Sequence, residues 1–231
     1  NVSGSFNVKE AFAELLVPII SDQPLFEQLS LELGYRYSDY SLGFNTDTYK
    51  VAAVYSPVPD IRFRGGYNRA VRAPNVLNLF TPNRLALFSG SDPCAGATPR
   101  FTLQQCQRTG VTPGQYGSIP ASPADQYNQI IGGNPNVEPE VADTWTVGAA
   151  IEPRFVPGLA ITVDYFNIQI ANAIGGIGAQ TILEQCGLTG EATFCNLIRR
   201  NPLSGDLWVG SDQSSPNVGR VTNTTLNIGG I

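Results

Sequence analysis

The chain has 231 residues, a net charge of −5 and no His, and only 14% of its residues are charged, against about 25% in an ordinary globular domain. It carries no basic patch to neutralise phosphates, so nucleic acid is not an expected partner. The missing His removes Ser-His-Asp and Cys-His catalysis and the common zinc sites. The longest near-apolar run, Ala11 to Ile20, is broken by Glu14 and Pro18, so no stretch approaches the roughly 20 apolar residues of a spanning helix. A membrane-spanning barrel needs only alternating strands of about 9–11 residues, and the 24 Gly and 17 Pro suit a β protein with many turns. Met is absent, and the chain opens on Asn1-Val2-Ser3 and closes on Thr225 to Ile231, in or beside expected strands. No signal peptide precedes it, and both ends read as those of a fragment or processed product.

In chain order, Ser3 to Val17 reads as a strand with imperfect alternation, since Phe6, Val8, Phe12 and Leu16 share a parity with Glu10 and Glu14. A turn is expected over Pro18–Gln28. Leu29 to Tyr40 alternates cleanly, with Leu29, Leu31, Leu33, Tyr35 and Tyr37 on one side and Ser30, Glu32, Arg36 and Ser38 on the other,. Thr46–Tyr55 and Ile61–Arg69 continue the pattern around the tight turn Pro57-Val58-Pro59-Asp60. Residues 70–143 form a long Gly-, Pro-, Ser- and Asn-rich segment, and segments of that length are usually functional. Strands resume at Thr144–Ile151 and Leu159–Ile170, joined by the short link Glu152–Gly158. A second long segment, 171–219, holds one or two helical turns at Thr181–Cys186 and the start of a small hairpin at Leu207-Trp208-Val209. Arg220 to Ile228 reads as a last strand. Short links thus alternate with longer ones at Ser41–Asn45, 70–143 and 171–219. That asymmetry predicts an all-β, antiparallel up-and-down meander of about seven strands, part of a transmembrane β-barrel with long extracellular loops.

The four cysteines permit three connectivities. Cys94 with Cys106 and Cys186 with Cys195 is the simplest, each closure constraining the unfolded chain by roughly 3 kcal/mol in an oxidising compartment.

Four motifs occur in order. They are Tyr35-Arg36-Tyr37-Ser38-Asp39-Tyr40, the run Phe63 to Asn75 with its Arg72-Ala73-Pro74, the segment Gly133-Asn134-Pro135-Asn136-Val137-Glu138-Pro139-Glu140 leading into Trp145, and Tyr165 to Ile170. Together they resemble the barrel of TonB-dependent outer-membrane receptors, with Val137 where that family more often has Leu. The resemblance spans the whole chain but only roughly a third of such a 22-stranded receptor, without the plug domain or the TonB box. It implies a bacterial outer-membrane location and lipid contact. It also implies energised uptake of a ferric siderophore, vitamin B12, a sugar or another scarce small nutrient. Coupling to the TonB complex would run through parts of the parent outside this chain. The runner-up is a secreted or surface β-sandwich that binds carbohydrate or a protein, whose outward strand residues would be polar.

No catalytic set or cofactor is expected. Glu138 and Glu140 flank a proline at a strand entry, and Asp92, Asp125, Asp206 and Asp212 lack calcium-loop spacing, so no metal is expected. Arg62, Arg64 and Arg69 could line the lumen as a basic strip for anionic ligands or serve as ordinary polar lining. Tyr35, Tyr37, Tyr40, Tyr55, Tyr67, Trp145, Tyr165 and Phe166 suit interfacial girdles or the lipid face. The loop aromatics Phe80, Phe88, Phe101, Tyr116, Tyr127 and Trp208 are the better ligand candidates, with packing of the loops as their competing role. An isolated piece of barrel, with open edges and an uncovered apolar face, is expected to self-associate.

Overall fold

A computed structural model describes residues 2–212 and 214–229. In chain order the elements are β1 (Val8–Gln23), β2 (Phe26–Tyr40), β3 (Phe44–Val58), β4 (Ile61–Arg72), α1 (Val76–Phe80), β5 (Arg84–Ser89), α2 (Leu103–Arg108) and β6 (Gln126–Ile131). There follow β7 (Glu140–Ile151), β8 (Ile161–Ala171), β9 (Ile174–Gly175), α3 (Ala179–Thr189), α4 (Ala192–Cys195), β10 (Ile198–Arg199), β11 (Arg220–Thr222) and β12 (Leu226–Asn227). Two compact units result. Ser5–Pro74 and Glu138–Ala173 form the bulk of one, and Asn75–Val137 and Ile174–Ile228 the bulk of the other.

In the first unit the alternation of the sequence becomes a six-stranded antiparallel sheet in the order β1-β2-β3-β4-β7-β8. Register stacks the expected apolar positions in rows. Leu33 lies opposite Val51, Val51 opposite Tyr67 and Tyr67 opposite Trp145, and the next row is Leu31, Ala53, Gly65, Val147 and Tyr165. This face is uncovered: Val147 is 63%, Val163 68% and Tyr165 66% exposed. Strand alternation sends Glu32, Lys50, Arg64 and Thr144 to the other face. An outward face of Leu, Val, Tyr and Trp is the reverse of what a water-facing sandwich carries. The ambiguity of the first strand also resolves. Ala11, Ala13, Leu15 and Val17 align with Tyr37, Tyr35, Leu33 and Leu31, so Phe12 stands on the polar face, where the Arg36 guanidinium lies 5.4 Å from its ring. Tyr40 and Phe166 share that polar-face parity, unlike the other six girdle aromatics.

The turn expected over Pro18–Gln28 is only Pro24-Leu25, because β1 runs on to Gln23. Pro18 donates no backbone hydrogen bond, and it sits in an edge strand at a register shift between Pro18 and Ile20, where proline is tolerated. Pro24-Leu25, Pro59-Asp60 and the link after Ile151 all lie at one end of the sheet, where Arg154 Nε donates to Asp60 Oδ1 at 2.5 Å. At the other end Arg72 lies opposite Glu140 and Val141 opposite Ala171. Both long segments therefore join the sheet at the same end.

The long segments are not the irregular loops expected from their composition. They share a four-stranded sheet, β10-β11-β6-β5, in which β11 and β6 are parallel. Tyr127, Ala179, Ile182, Leu183, Leu207 and Val221 form its core. The expected turn or two at Thr181–Cys186 is the 11-residue α3, whose residues 179, 182, 183 and 186 are buried at helical spacing,. Gly190, left-handed at φ 75°, ends it, its N–H donating to Cys186 O,. No hairpin starts at Leu207. The Asp206 carboxylate instead accepts from the N–H groups of Trp208 and Val209 at 3.1 and 2.8 Å. The expected strand Arg220–Ile228 is split, β11 joining the four-stranded sheet and β12 pairing with β9. Residues 230 and 231, the chain end expected in or beside that strand, lie outside the described residues.

Both local disulfides are formed, Cys94–Cys106 and Cys186–Cys195, closing sequence separations of 12 and 9. Non-reducing peptide mapping of the protein is expected to recover those two links and no cross-link between the segments. Replacing either pair by Ala should cost the loop unit about 2–4 kcal/mol, and recovery of a Cys94–Cys186 peptide would contradict this fold.

Candidate ligand-binding site

The three arginines considered as one basic strip do not share a face. Arg62 and Arg64 have the parity of the polar face, whereas Arg69 lies opposite Tyr49 and Asp143 on the aromatic face. There Arg69 holds Asp143 with two hydrogen bonds of 2.8 Å, and Tyr67 donates to the same carboxylate at 2.6 Å. Arg64 reaches across the neighbouring strand to Asp164, donating at 2.8 and 2.5 Å. Gly148, which lies between them in register, makes that reach possible: a Cβ there would stand 1.9 Å from Asp164 Oδ1. Lys50 is paired with Glu32 on the same face. Among the described residues the polar face thus carries two cross-strand ion pairs, Arg64–Asp164 and Lys50–Glu32, together with Arg72–Glu140 at its end, whereas Glu10, Glu14, Arg36 and Arg62 belong to none of the ion pairs.

In the loop unit the aromatic candidates separate by burial. Tyr127 is 3% exposed and fills the core beside Phe88, which removes it as a ligand contact. Phe101 is 6% exposed, and its ring seats on Gly187, where a Cβ would meet Cε2 at 2.2 Å. Tyr116 is half-buried and donates to Phe101 O at 2.9 Å, and half-buried Trp208 donates from Nε1 to Pro120 O at 3.0 Å. Phe80 is half-buried at the end of α1. Phe80, Tyr116 and Trp208 keep part of their rings accessible.

What composition did not reveal is how polar side chains join the two segments. Arg200 is sunk in the unit and grips Asp92 at 2.6 and 2.8 Å, with further bonds to Thr109 Oγ1 and Gly205 O. Both side chains are at most 2% exposed. Asn128 Nδ2 donates to Gly210 O and Gly219 O. Arg108 donates to Gly187 O and Leu188 O near the C-terminus of α3, where a cation meets the negative end of the helix dipole. Arg100 pairs with Glu184, and that guanidinium with the Gln180 amide holds the Glu184 carboxyl below its usual range. Asp92, Asp206 and Asp212 are therefore occupied by Arg200, by backbone N–H groups and by Ser214. Among the described residues no group of three or more His, Cys, Asp or Glu is placed to hold a metal.

An antiparallel sheet with an uncovered apolar face, a polar opposite face, short turns at one end and long segments at the other has the pattern of an outer-membrane β-barrel wall. The chain belongs to the TonB-dependent receptor family: the family model for the TonB dependent receptor-like β-barrel matches residues 2–230. Solved structures with this fold include the siderophore receptor PirA from Acinetobacter baumannii (13% identity, TM-score 0.54, 97% of this chain and 24% of that one). They also include the ferric enterobactin receptor PfeA from Pseudomonas aeruginosa in complex with enterobactin (14%, 0.56, 97% and 23%). A third is PirA from Pseudomonas aeruginosa (16%, 0.53, 97% and 29%). The chain spans about a quarter of the length of these receptors. No curated protein matches it.

The buried ion pair supplies a test of the loop unit. Arg200→Ala leaves Asp92 buried and unpaired and is expected to cost about 3–5 kcal/mol, whereas replacing both partners by Leu should cost far less. Limited proteolysis of the two segments would register the difference as rapid cleavage in the first variant only.

Proposed function

We propose that this chain is part of one β-barrel domain of an outer-membrane uptake receptor, with the plug domain supplied by the rest of the parent. In this reading the six-stranded sheet is barrel wall. Its Leu, Val and aromatic face meets lipid, and its polar face lines the lumen. The short turns are periplasmic, and the long segments form an extracellular cap pinned by two disulfides. The observation that carries the reading is that both long segments join the sheet at one end while the tight turns sit at the other. The parent would bind a scarce nutrient and draw on the TonB complex to import it, acting as a receptor and not an enzyme. A ferric siderophore is placed ahead of vitamin B12 or a sugar because the solved structures that share this fold are siderophore receptors. Phe80, Tyr116 and Trp208 in the cap and Arg62 in the wall are the proposed ligand contacts.

Uptake of labelled ferric siderophores, vitamin B12 and a malto-oligosaccharide by cells with the parent receptor tests this directly. Excising residues 76–136 and 175–227 in favour of short Gly-Ser links is expected to leave an assembled barrel that no longer takes up its nutrient at low concentration. Undiminished uptake by the shortened receptor would overturn the assignment of the cap.

The isolated chain should behave differently. Its sheet ends on β1 and β8, whose outer N–H and C=O groups invite pairing with another copy, and each such group left unpaired in lipid costs several kcal/mol. The chain by itself is therefore proposed to be self-associated or detergent-bound and inactive in transport. Light scattering without detergent is expected to show large species, and a dispersed monomer would contradict this.

A further inference from the structure

One pair of like charges in the loop unit lies outside the ion pairs of the described residues. β10 and β11 pair so that Arg199 lies directly opposite Arg220, the arrangement in which side chains are closest across a sheet and like charges repel. The ion pairs of the described residues engage Lys50, Arg64, Arg69, Arg72, Arg100, Arg154 and Arg200, and neither of these two. Arg199 is exposed, and half-buried Arg220 donates to Val218 O at 3.3 Å. Burial, and then the positive charge of Arg199, lower the Arg220 pKa.

The backbone cannot separate the two. Val221 beside Arg220 is fully buried in the core, Thr222 N donates to Leu197 O at 2.7 Å, and Arg200 beside Arg199 is locked to Asp92. The register thus sets two arginines on the same side of the β10–β11 pair, each guanidinium with up to five donors, of which the bond from Arg220 to Val218 O uses one. Among the described residues this is a pair of arginines set directly opposite each other with neither in an ion pair.

We infer that Arg199 and Arg220 form an oxyanion site for a carboxylate or phosphate group of a soluble small molecule. An anion between them converts their repulsion into two charge-assisted contacts, which planar guanidinium forks make in bidentate form. The inference rests on the cap reading above and narrows it: the molecule that the cap receives carries at least one oxyanion.

The test uses the parent receptor in an uncharged detergent, titrated calorimetrically with citrate and with inorganic phosphate at constant ionic strength. Saturable binding is expected, and Arg199→Gln and Arg220→Gln should each weaken it about tenfold, the loss of one charge-assisted contact. Protease resistance of the cap confirms that each variant is folded. Equal affinity in both variants, or a response that sodium chloride reproduces, overturns the site. So does a variant that merely stabilises the cap, since that is the signature of tolerated repulsion. Receptor in phosphatidylglycerol or phosphatidylcholine nanodiscs separates the two sources of oxyanion. Binding that requires the anionic lipid and never occurs with citrate or phosphate refutes a soluble ligand. The titration reads binding without transport, so its failure leaves the uptake reading standing, and failed uptake with intact citrate binding strikes only that reading.

Discussion

Backbone hydrogen bonds in the meander must be satisfied between strands, and this constraint organises the wall. Antiparallel pairing fixes a side-chain period of two, and one apolar face fixes the register, since a slip of one residue would exchange the faces. Leu33, Val51, Tyr67 and Trp145 form one row for that reason. The same geometry sends Glu32, Lys50, Arg64 and Asp164 to the opposite face, where cross-strand neighbours neutralise one another. Exposed ion pairs of this kind contribute about 0–1 kcal/mol each. Their main effect is to fix neighbouring side chains across the strands, with Glu10, Glu14, Arg36 and Arg62 outside the pairing.

The loop unit solves a different problem. Segments 75–137 and 174–228 are far apart in the chain, and their ends are set by the sheet. Ordering so much chain costs conformational entropy, which small apolar clusters must offset with help. Local disulfides reduce the freedom of each segment separately, while buried polar links join one to the other. Arg200 and Asp92 act across 108 residues, and Asn128 ties β6 to the chain near β11. A buried ion pair adds little stability relative to an apolar pair, but it penalises any packing that separates its members. That fits a cap with one defined arrangement, in which Gly187 must stay small beneath the Phe101 ring.

Arg199 and Arg220 stand directly opposite each other across β10 and β11, and neither belongs to an ion pair of the described residues. The core residue Val221 and the locked Arg200 hold the two in place. Their juxtaposition is a by-product of register, since neither residue is adjacent to the other in sequence.

The sequence by itself determined the strands and their faces. Alternation over Leu29–Tyr40 and Ile61–Arg69 is a local property, and a sheet with one apolar side has to obey it. It also determined the alternation of short and long links, while the local pairing was only the simplest of the three connectivities open to its cysteines until the structure formed it,. The helix α3 was legible in principle, since 179, 182, 183 and 186 are spaced for one helical face, although the surrounding Gly obscures its ends. Only the tertiary structure decided that β1 continues through Pro18, because a register shift at an edge strand absorbs the missing donor. Alternation alone already sets Arg69 on the face opposite Arg62 and Arg64, whereas only the tertiary structure turned Tyr127 into core and bound Asp92 to Arg200. Those outcomes depend on contacts between residues distant in the chain, formed by a buried core and a parallel β6–β11 pairing that no local pattern encodes.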